Sequence, residues 1–276
     1  MARGVFGRIA ARIAANLAGF GEFTRFAARS LAMVFSPMHW RNVRLVLPQM
    51  YEVGVGSIPV VAITGAFIGM VLAVETFAQF QALGQETRLG AVINVAVVKQ
   101  IGPVMAAVML AGRVGGALTA ELGTMRVTEQ LDALRVMGSD PIRVLVVPRL
   151  LACVFLLPFL TIYSDVLGVA GGAFISVDML GVPAEPYWEN SARWVDLWDV
   201  NEGLIKSIFF GAAIALIACY KGFHCGAGAN GVGRATTESF VASFVAIIVI
   251  DFFFAKVAKD WYTTLYGASN IMGGGG

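Results

Sequence analysis

The chain has 276 residues, 58% of them hydrophobic and 14% charged. A soluble domain carries roughly a quarter of its residues charged, so a soluble globular class is excluded. The apolar runs predict an all-α polytopic membrane protein. The formal net charge of +2 gives no reason to expect a nucleic-acid partner, and the informative signal is where the charges sit.

Residues 1–44 form an N-terminal region in which Val5, Ile9, Ile13 and Leu17 share one helical face and Arg3, Arg8 and Arg12 lie off it. The basic residues interrupt any clean apolar core, which argues against a secretion signal. The pattern predicts an amphipathic helix lying in the membrane interface, its basic face on anionic lipid.

Five spans follow, each holding the ~20 apolar residues a bilayer requires. The first covers about Val53 to Phe80. Gly54, Gly56, Pro59, Gly65 and Gly69 leave it open to tilt, kinking or breakage. It also carries an unexpected carboxylate, Glu75. The second runs from about Leu89 to Ala111 and contains the polar insertion Lys99-Gln100. The third covers about Val144 to Val177, with Pro158 inside it. The fourth, about Leu204 to Tyr220, has Lys206 near one end. The fifth, about Ser239 to Tyr262, has Asp251 in the run IIVIDFFFA. The spacings Gly65/Gly69, Gly112/Gly116 and Gly168/Gly172 allow helices to approach closely in lipid, most simply as packing within the chain. Residues 266–276 form a tail ending in four glycines.

The charge bias orients these spans. Arg25, Arg29, Arg41 and Arg44, with the arginines before them, put the N-terminus in the cytoplasm. Arg113, Arg126, Arg135, Arg143 and Arg149 put the segment between spans two and three there too. The loop from Asp178 to Glu202 is acidic and faces the far side, with Tyr187, Trp188, Trp194 and Trp198 at headgroup level. The C-terminus ends outside. An ionisable group within a span is costly unless it is paired or wetted. Asp251 and Lys206 both fall in the outer half of the membrane, where they either form an ion pair or line one polar cavity. Cys219, His224 and Cys225 lie close in sequence but fall short of the four ligands of a structural zinc site, and no metal is expected.

Between spans two and three the segment Gly112–Arg149 is patterned rather than random. Leu118, Leu122 and Met125 step along one face, and Val127, Leu131 and Leu134 continue the stripe. Gly138 is a helix stop, and Asp140-Pro141 starts the next helix. One surface helix over about 118–137 is predicted. It either rests on the bilayer or its own bundle, or grips a soluble partner.

The run Ala111-Gly112-Arg113, Ala120-Glu121-Leu122-Gly123-Thr124-Met125, Thr128-Glu129-Gln130, Asp140-Pro141 and Pro148-Arg149 resembles the signature of the MlaE/YrbE permeases, the membrane subunits of MCE-associated ABC transporters. Phe67 to Leu72 and Gly233 to Thr237 match as well, and the likeness covers residues 45–265. The resemblance implies that residues 45–265 are the permease domain and that the segment around Ala120 to Val136 is a coupling helix docking into a cytoplasmic ABC ATPase. Glu121, Met125, Thr128, Glu129, Asp132 and Leu134 would make that contact. It further implies a homodimer, a periplasmic MCE-domain protein forming a hexameric ring, in some systems a STAS-domain protein, and a phospholipid cargo moved between the bacterial inner membrane and the outer envelope. Leu72, Phe80, Leu83 and Ile101 would wall a lipid cleft, with Gln100, Lys206 and Asp251 as its polar groups. Family members often place glutamate where this chain has Gln100.

No G-x-x-x-x-G-K-[ST] phosphate loop occurs in the chain, so ATP and magnesium are expected on the partner ATPase and no cofactor on this chain. Two readings from other classes stand beside the permease. One is an intramembrane lipid-modifying enzyme using Asp251, Lys206 and Glu75. The other is a secondary transporter coupled to protons through Asp251.

Overall fold

The computed structural model describes the backbone of residues 2–34 and 43–266 and the side chains of 18–34, 45–258 and 260. The expected amphipathic face of Val5, Ile9, Ile13 and Leu17 and the glycine tail lie outside the described side chains. Among the described residues the structure is helical, without strands. Five helical stretches are long and apolar enough to cross a membrane: Leu45–Ala82, Glu86–Val127, Ile142–Met179, Leu197–Phe223 and Gly228–Ala258. The chain is therefore an all-α polytopic membrane protein. We call these spans one to five.

Helix α1 (Ala2–Val34) docks on one end of the bundle. Its Phe23 and Phe26 pack edge-on against Tyr220, with ring centroids 5.4 and 5.6 Å apart. Arg29 reaches Asp140 at 2.6 Å. Span one is broken. Helix α2 (Val43–Gly54) gives way to a short 3₁₀ turn (Val55–Ser57), and α3 (Ile58–Ala82) restarts with proline in its first turn. The break has a partner that the sequence did not reveal. Arg113 Nη1 donates to Ser57 Oγ at 3.0 Å and to Glu52 O at 3.3 Å, and its guanidinium occupies the space where a side chain at Gly56 would stand. Backbone freed by the break is thus satisfied inside the protein, as lipid requires.

Span two is a single rod with two π-helical turns: α4 (Leu89–Ala96), Val97–Ile101, α5 (Gly102–Leu110), Ala111–Gly115 and α6 (Gly116–Val127). The first π turn precedes Pro103. Gly102 N–H reaches back five residues to Val97 O, which widens the turn ahead of a residue that has no N–H to donate.

The predicted single helix over 118–137 is two helices. The first half is α6, the continuation of span two, with Leu118, Thr119, Leu122 and Gly123 buried. The chain then turns at Glu129, whose φ is 60°, into α7 (Gln130–Val136). Gly138 ends this segment with φ 74°, and Asp140 Oδ1 accepts from Ile142 N at 3.0 Å as the next helix begins. We call the α6–α7 turn the elbow.

Span three contains α8 (Val147–Ala173). Its Gly168 crosses Gly69 of α3 so closely that a β-carbon on Gly69 would lie 1.8 Å from Gly168 O. The glycine spacings of spans one and three are therefore mates within one chain. The acidic loop after span three is mostly ordered helix. Helix α9 (Ala184–Trp194) caps the bundle end opposite the elbow. Tyr187 is fully buried against Leu89 and Ile93, because its backbone lies against Gly90, where no side chain intervenes. Trp188 and Trp194 are half-exposed.

Helix α10 (Leu197–Phe223) starts seven residues earlier than the predicted fourth span, because Asp196 and Asp199 form a capping box. Asp199 and Glu202, read as loop acids, are thereby buried in the bundle. Helix α11 (Gly228–Tyr266) carries span five. The main core joins spans one to four and takes Ile247 from span five. Over its most apolar window span five is 17% buried, against 56% for spans three and four. It is the peripheral helix.

Candidate functional site

Three predicted polar residues meet in the membrane half nearer α9. Lys206 Nζ donates to Asp251 Oδ1 at 3.0 Å and to Gln100 Oε1 at 2.9 Å. Gln100 Nε2 closes the triangle by donating to Asp251 Oδ2. Of the two arrangements open to Lys206 and Asp251, the structure has the ion pair. Lys206 is wholly buried, so its ammonium does not reach the bundle surface, and Asp251 is 8% exposed. The three residues come from spans four, two and five, so the triad ties the peripheral helix to the core. Close approach is possible because Gly203, one turn before Lys206, has no side chain: a β-carbon there would lie 2.8 Å from Val98 O and 3.0 Å from Pro103 Cγ.

A second cluster lies beside it on the same π turn. Lys99 Nζ is 2.8 Å from Asp199 Oδ1 and 3.5 Å from Glu202 Oε2. Counting Asp165, four carboxylates and two ammonium groups are gathered in this half of the bundle. Asp165 was missed in the sequence. It sits in span three, buried, and a β-carbon on Gly102 would fall 1.7 Å from its Oδ1. The signal was available: a lone acid in the run Leu160–Ala170 is as anomalous as Asp251 in its own run.

The predicted apolar wall is divided. Leu72 and Phe80 pack, half-buried, against the cluster around Ala73, Leu89 and Tyr187. Ile101 is half-buried beside Gln100. Leu83 is 70% exposed, because it ends α3 and faces out of the turn. Glu75 is exposed on span one and belongs to neither polar cluster. Exposed apolar rows lie on span five, at Val241, Phe244, Val245, Ile248, Phe252 and Phe253, and also on span one, at Ile63, Phe67, Val71 and Val74, and on span three, at Phe155, Phe159 and Val166.

At the opposite end, span two counts 42 residues, or about 63 Å at 1.5 Å per residue. That is twice the ~30 Å hydrocarbon thickness, so its α6 end projects beyond the apolar layer. Arg149, 3% exposed, holds Glu121 Oε1 at 2.6 Å. Asp132 holds Arg126 at 3.1 Å across the elbow and Arg135 at 2.8 Å one turn along α7. Met125 packs inward with Leu122 and Val146. Of the six residues predicted for coupling, Glu121, Met125 and Asp132 thus build the elbow. Thr128 and Glu129 are exposed on it, and Leu134 is half-buried on α7. Val136 and Met137, at the tip, are 89% and 70% exposed.

The cysteine–histidine group does not converge. Cys219 is in the core, His224 Nδ1 is 2.9 Å from Tyr220 O, and Cys225 Sγ donates to Gly123 O at 3.4 Å. Burial pushes the Cys225 thiol up, with Arg126 opposing it.

Comparison with known proteins places this geometry. Residues 46–257 match the family model described as Permease MlaE. A probable ABC transporter permease protein of Synechocystis sp. is 43% identical over 212 residues, 77% of this chain and 81% of the relative. One from Rickettsia felis is 36% identical over 237 residues, 86% and 91% of the two chains. The intermembrane phospholipid transport system permease protein MlaE of Haemophilus influenzae is 34% identical over 229 residues, 82% and 87%.

Proposed function

We propose, from the premise that this chain belongs to the MlaE permease family and is the lipid-transport permease subunit of an ABC system, that it moves phospholipid by rocking about span two. An ABC permease works with an ATPase. It performs no covalent chemistry itself, and the enzyme and proton-carrier readings give way to this one. The observation that carries the proposal is the continuity of span two. One helix bears Gln100 of the triad and, at its far end, the elbow, so a force on the elbow reaches the polar site through a rod rather than a flexible loop.

In this reading the elbow is the coupling element. It faces the cytoplasm and seats in the partner ATPase, which holds ATP and magnesium. Thr128, Glu129, Leu134 and the exposed tip make the contact, while Glu121, Met125 and Asp132 keep it rigid. The cargo is a phospholipid, the molecule named for the Haemophilus influenzae relative. Its tails would run along the apolar face of span five and the Leu72–Phe80 side of span one, with its headgroup near Lys99 and the triad. A second copy of the chain completes the cleft. That is supported by the low burial of span five and by an open groove of about 590 Å³ between Gly112, Gly116 and Ala120 of span two and Thr236, Thr237 and Phe240 of span five. An MCE-domain ring would sit over α9 on the periplasmic side of the inner membrane, with the N-terminus cytoplasmic and the C-terminus periplasmic. A STAS-domain protein, where present, would bind the ATPase.

The test is co-purification. Glu129→Lys with Leu134→Asp is expected to release the ATPase from the permease while the melting temperature stays near that of the unaltered chain. Undiminished recovery of ATPase with the double variant would overturn the docking assignment.

A further inference from the structure

Asp165 stands outside both polar clusters, and the transport reading gives it no work. It is 8% exposed. Its Oδ1 has no hydrogen-bond partner among the described residues, an expensive condition for a carboxylate in a membrane core. It is not a distant curiosity, because its carboxyl lies against Gly102, two residues from Gln100, the side chain to which Lys206 Nζ donates. Lys206 is bonded to Asp251, and Glu202 on its own helix is held by Lys99, which leaves Asp165 as the acid of this region with no cation bonded to it among the described residues.

The two acids differ in what they are attached to. Asp165 belongs to span three, which packs along span four, the helix of Lys206. Both are 56% buried over their most apolar windows. Asp251 belongs to span five, 17% buried. If a helix moves during transport, the least embedded one moves at lowest cost. Its departure would draw Asp251 away and leave the Lys206 ammonium uncompensated in a wholly buried position. A buried charge stripped of its partner is strongly unfavourable, so that state would be scarcely populated unless a second acid took over.

We propose that Asp165 is the second counter-ion of Lys206, a positioning residue that receives the ammonium when span five draws Asp251 away. The lysine's flexible four-carbon stem is the part that would swing, and Gly102 supplies the gap in which the carboxyl waits. Span three carries Asp165 with the core, so the receiving acid does not move with the departing one. This inference rests on the transport reading above.

The test uses the assembled permease with its ATPase, and Asp165→Asn, which preserves shape and removes charge. The first readout is transfer of a fluorescent phospholipid between vesicles. Asp165→Asn is expected to slow it about tenfold with little change in melting temperature, because the resting pair with Asp251 is intact. The second readout is a melting-temperature cycle. In an Asp251→Asn background, Asp165→Asn should cost far more than it does alone. In a Lys206→Met background it should cost nothing or stabilise, because the acid then has no cation to serve. Equal effects of Asp165→Asn in all three backgrounds would overturn the proposal, as would normal transfer by the single variant. A double variant that fails to assemble supports it only where adding Lys206→Met restores assembly, and counts against it otherwise. A wild-type complex that moves no phospholipid would defeat the transport reading. The melting cycle would still decide the partner of Asp165.

Discussion

At Gly69 one absent methyl group sets how near spans one and three can come. The added carbon would meet a backbone oxygen, Gly168 O, at 1.8 Å, and backbone cannot rotate away as a side chain can. Gly65 and Gly171 are in the same condition against Ser164 O and Ala66 O, at 2.7 and 2.4 Å. In lipid, where packing rather than the hydrophobic effect joins helices, such contacts decide stability. Gly69→Val is expected to destabilise the chain by at least the ~1–3 kcal/mol typical of overpacking, read as a lower melting temperature in detergent. Gly233→Ala, where the new carbon meets nothing within 4 Å, should leave melting unchanged or raise it, since alanine is the better helix former. Equal losses in both variants would show that the crossing is not set by close approach. The glycine spacings were legible in the sequence, but their pairing was not, because spacing says which face is small and nothing about which helix lies opposite. The same holds for the triad. Depth and charge brought Lys206 and Asp251 together as an ion pair or one cavity, and only folding shows which, and that Gln100 bonds both.

The elbow is a property of an element rather than of any one contact. Glu129 adopts φ 60°, a left-handed conformation that costs a residue with a β-carbon ~1–2 kcal/mol. Asp132 N and Ala133 N then bond to Glu129 O at 3.1 and 3.0 Å, starting α7. Glu129→Gly removes the steric cost at the turn, so melting temperature is expected to hold or rise. On the coupling reading the same change loosens the elbow and removes a contact, and lipid-transfer rate per ATP hydrolysed is expected to fall. A variant that melts no lower and transfers lipid with undiminished efficiency would separate Glu129 from coupling. This element also shows where sequence reasoning runs out. Gly138 and Asp140-Pro141 marked the end of the segment, because glycine and proline restrict backbone in known ways. Nothing marked Thr128-Glu129, which is ordinary helical sequence, and the break there is imposed by tertiary structure. The start of α10 was lost for a related reason. Asp199 and Glu202 read as solvent-facing acids until Lys99, far off in sequence, proves to be their partner.

Across the whole molecule, span five is held to the core by two polar clasps with little apolar burial between them. At the elbow end, Glu238 bonds Lys221 of span four at 2.9 Å, in a half-exposed setting where an ion pair is worth ~0–1 kcal/mol; its other bond, to Arg234, lies within its own helix. At the α9 end, Asp251 bonds Lys206 and Gln100 in a buried one. Breaking a buried pair by removing one partner costs ~3–5 kcal/mol in soluble proteins, and here Asp165 is placed to offset part of that loss. The two clasps should therefore respond differently. Asp251→Leu replaces a carboxylate with a side chain suited to lipid, on a helix whose neighbouring residues Phe252 and Phe253 are already exposed. The five-span bundle is expected to assemble and retain its ATPase, while phospholipid transfer falls tenfold or more, because the helix that should open and reclose has lost the contact that closes it. Glu238→Gln should lower transfer by about twofold at most, in line with the small worth of an exposed pair. Reconstitution of both variants with the partner ATPase, scored by transfer of labelled phospholipid and by ATP hydrolysis, makes the comparison direct. Normal transfer with Asp251→Leu, or a larger loss with Glu238→Gln, would mean that span five is not gated at its buried end.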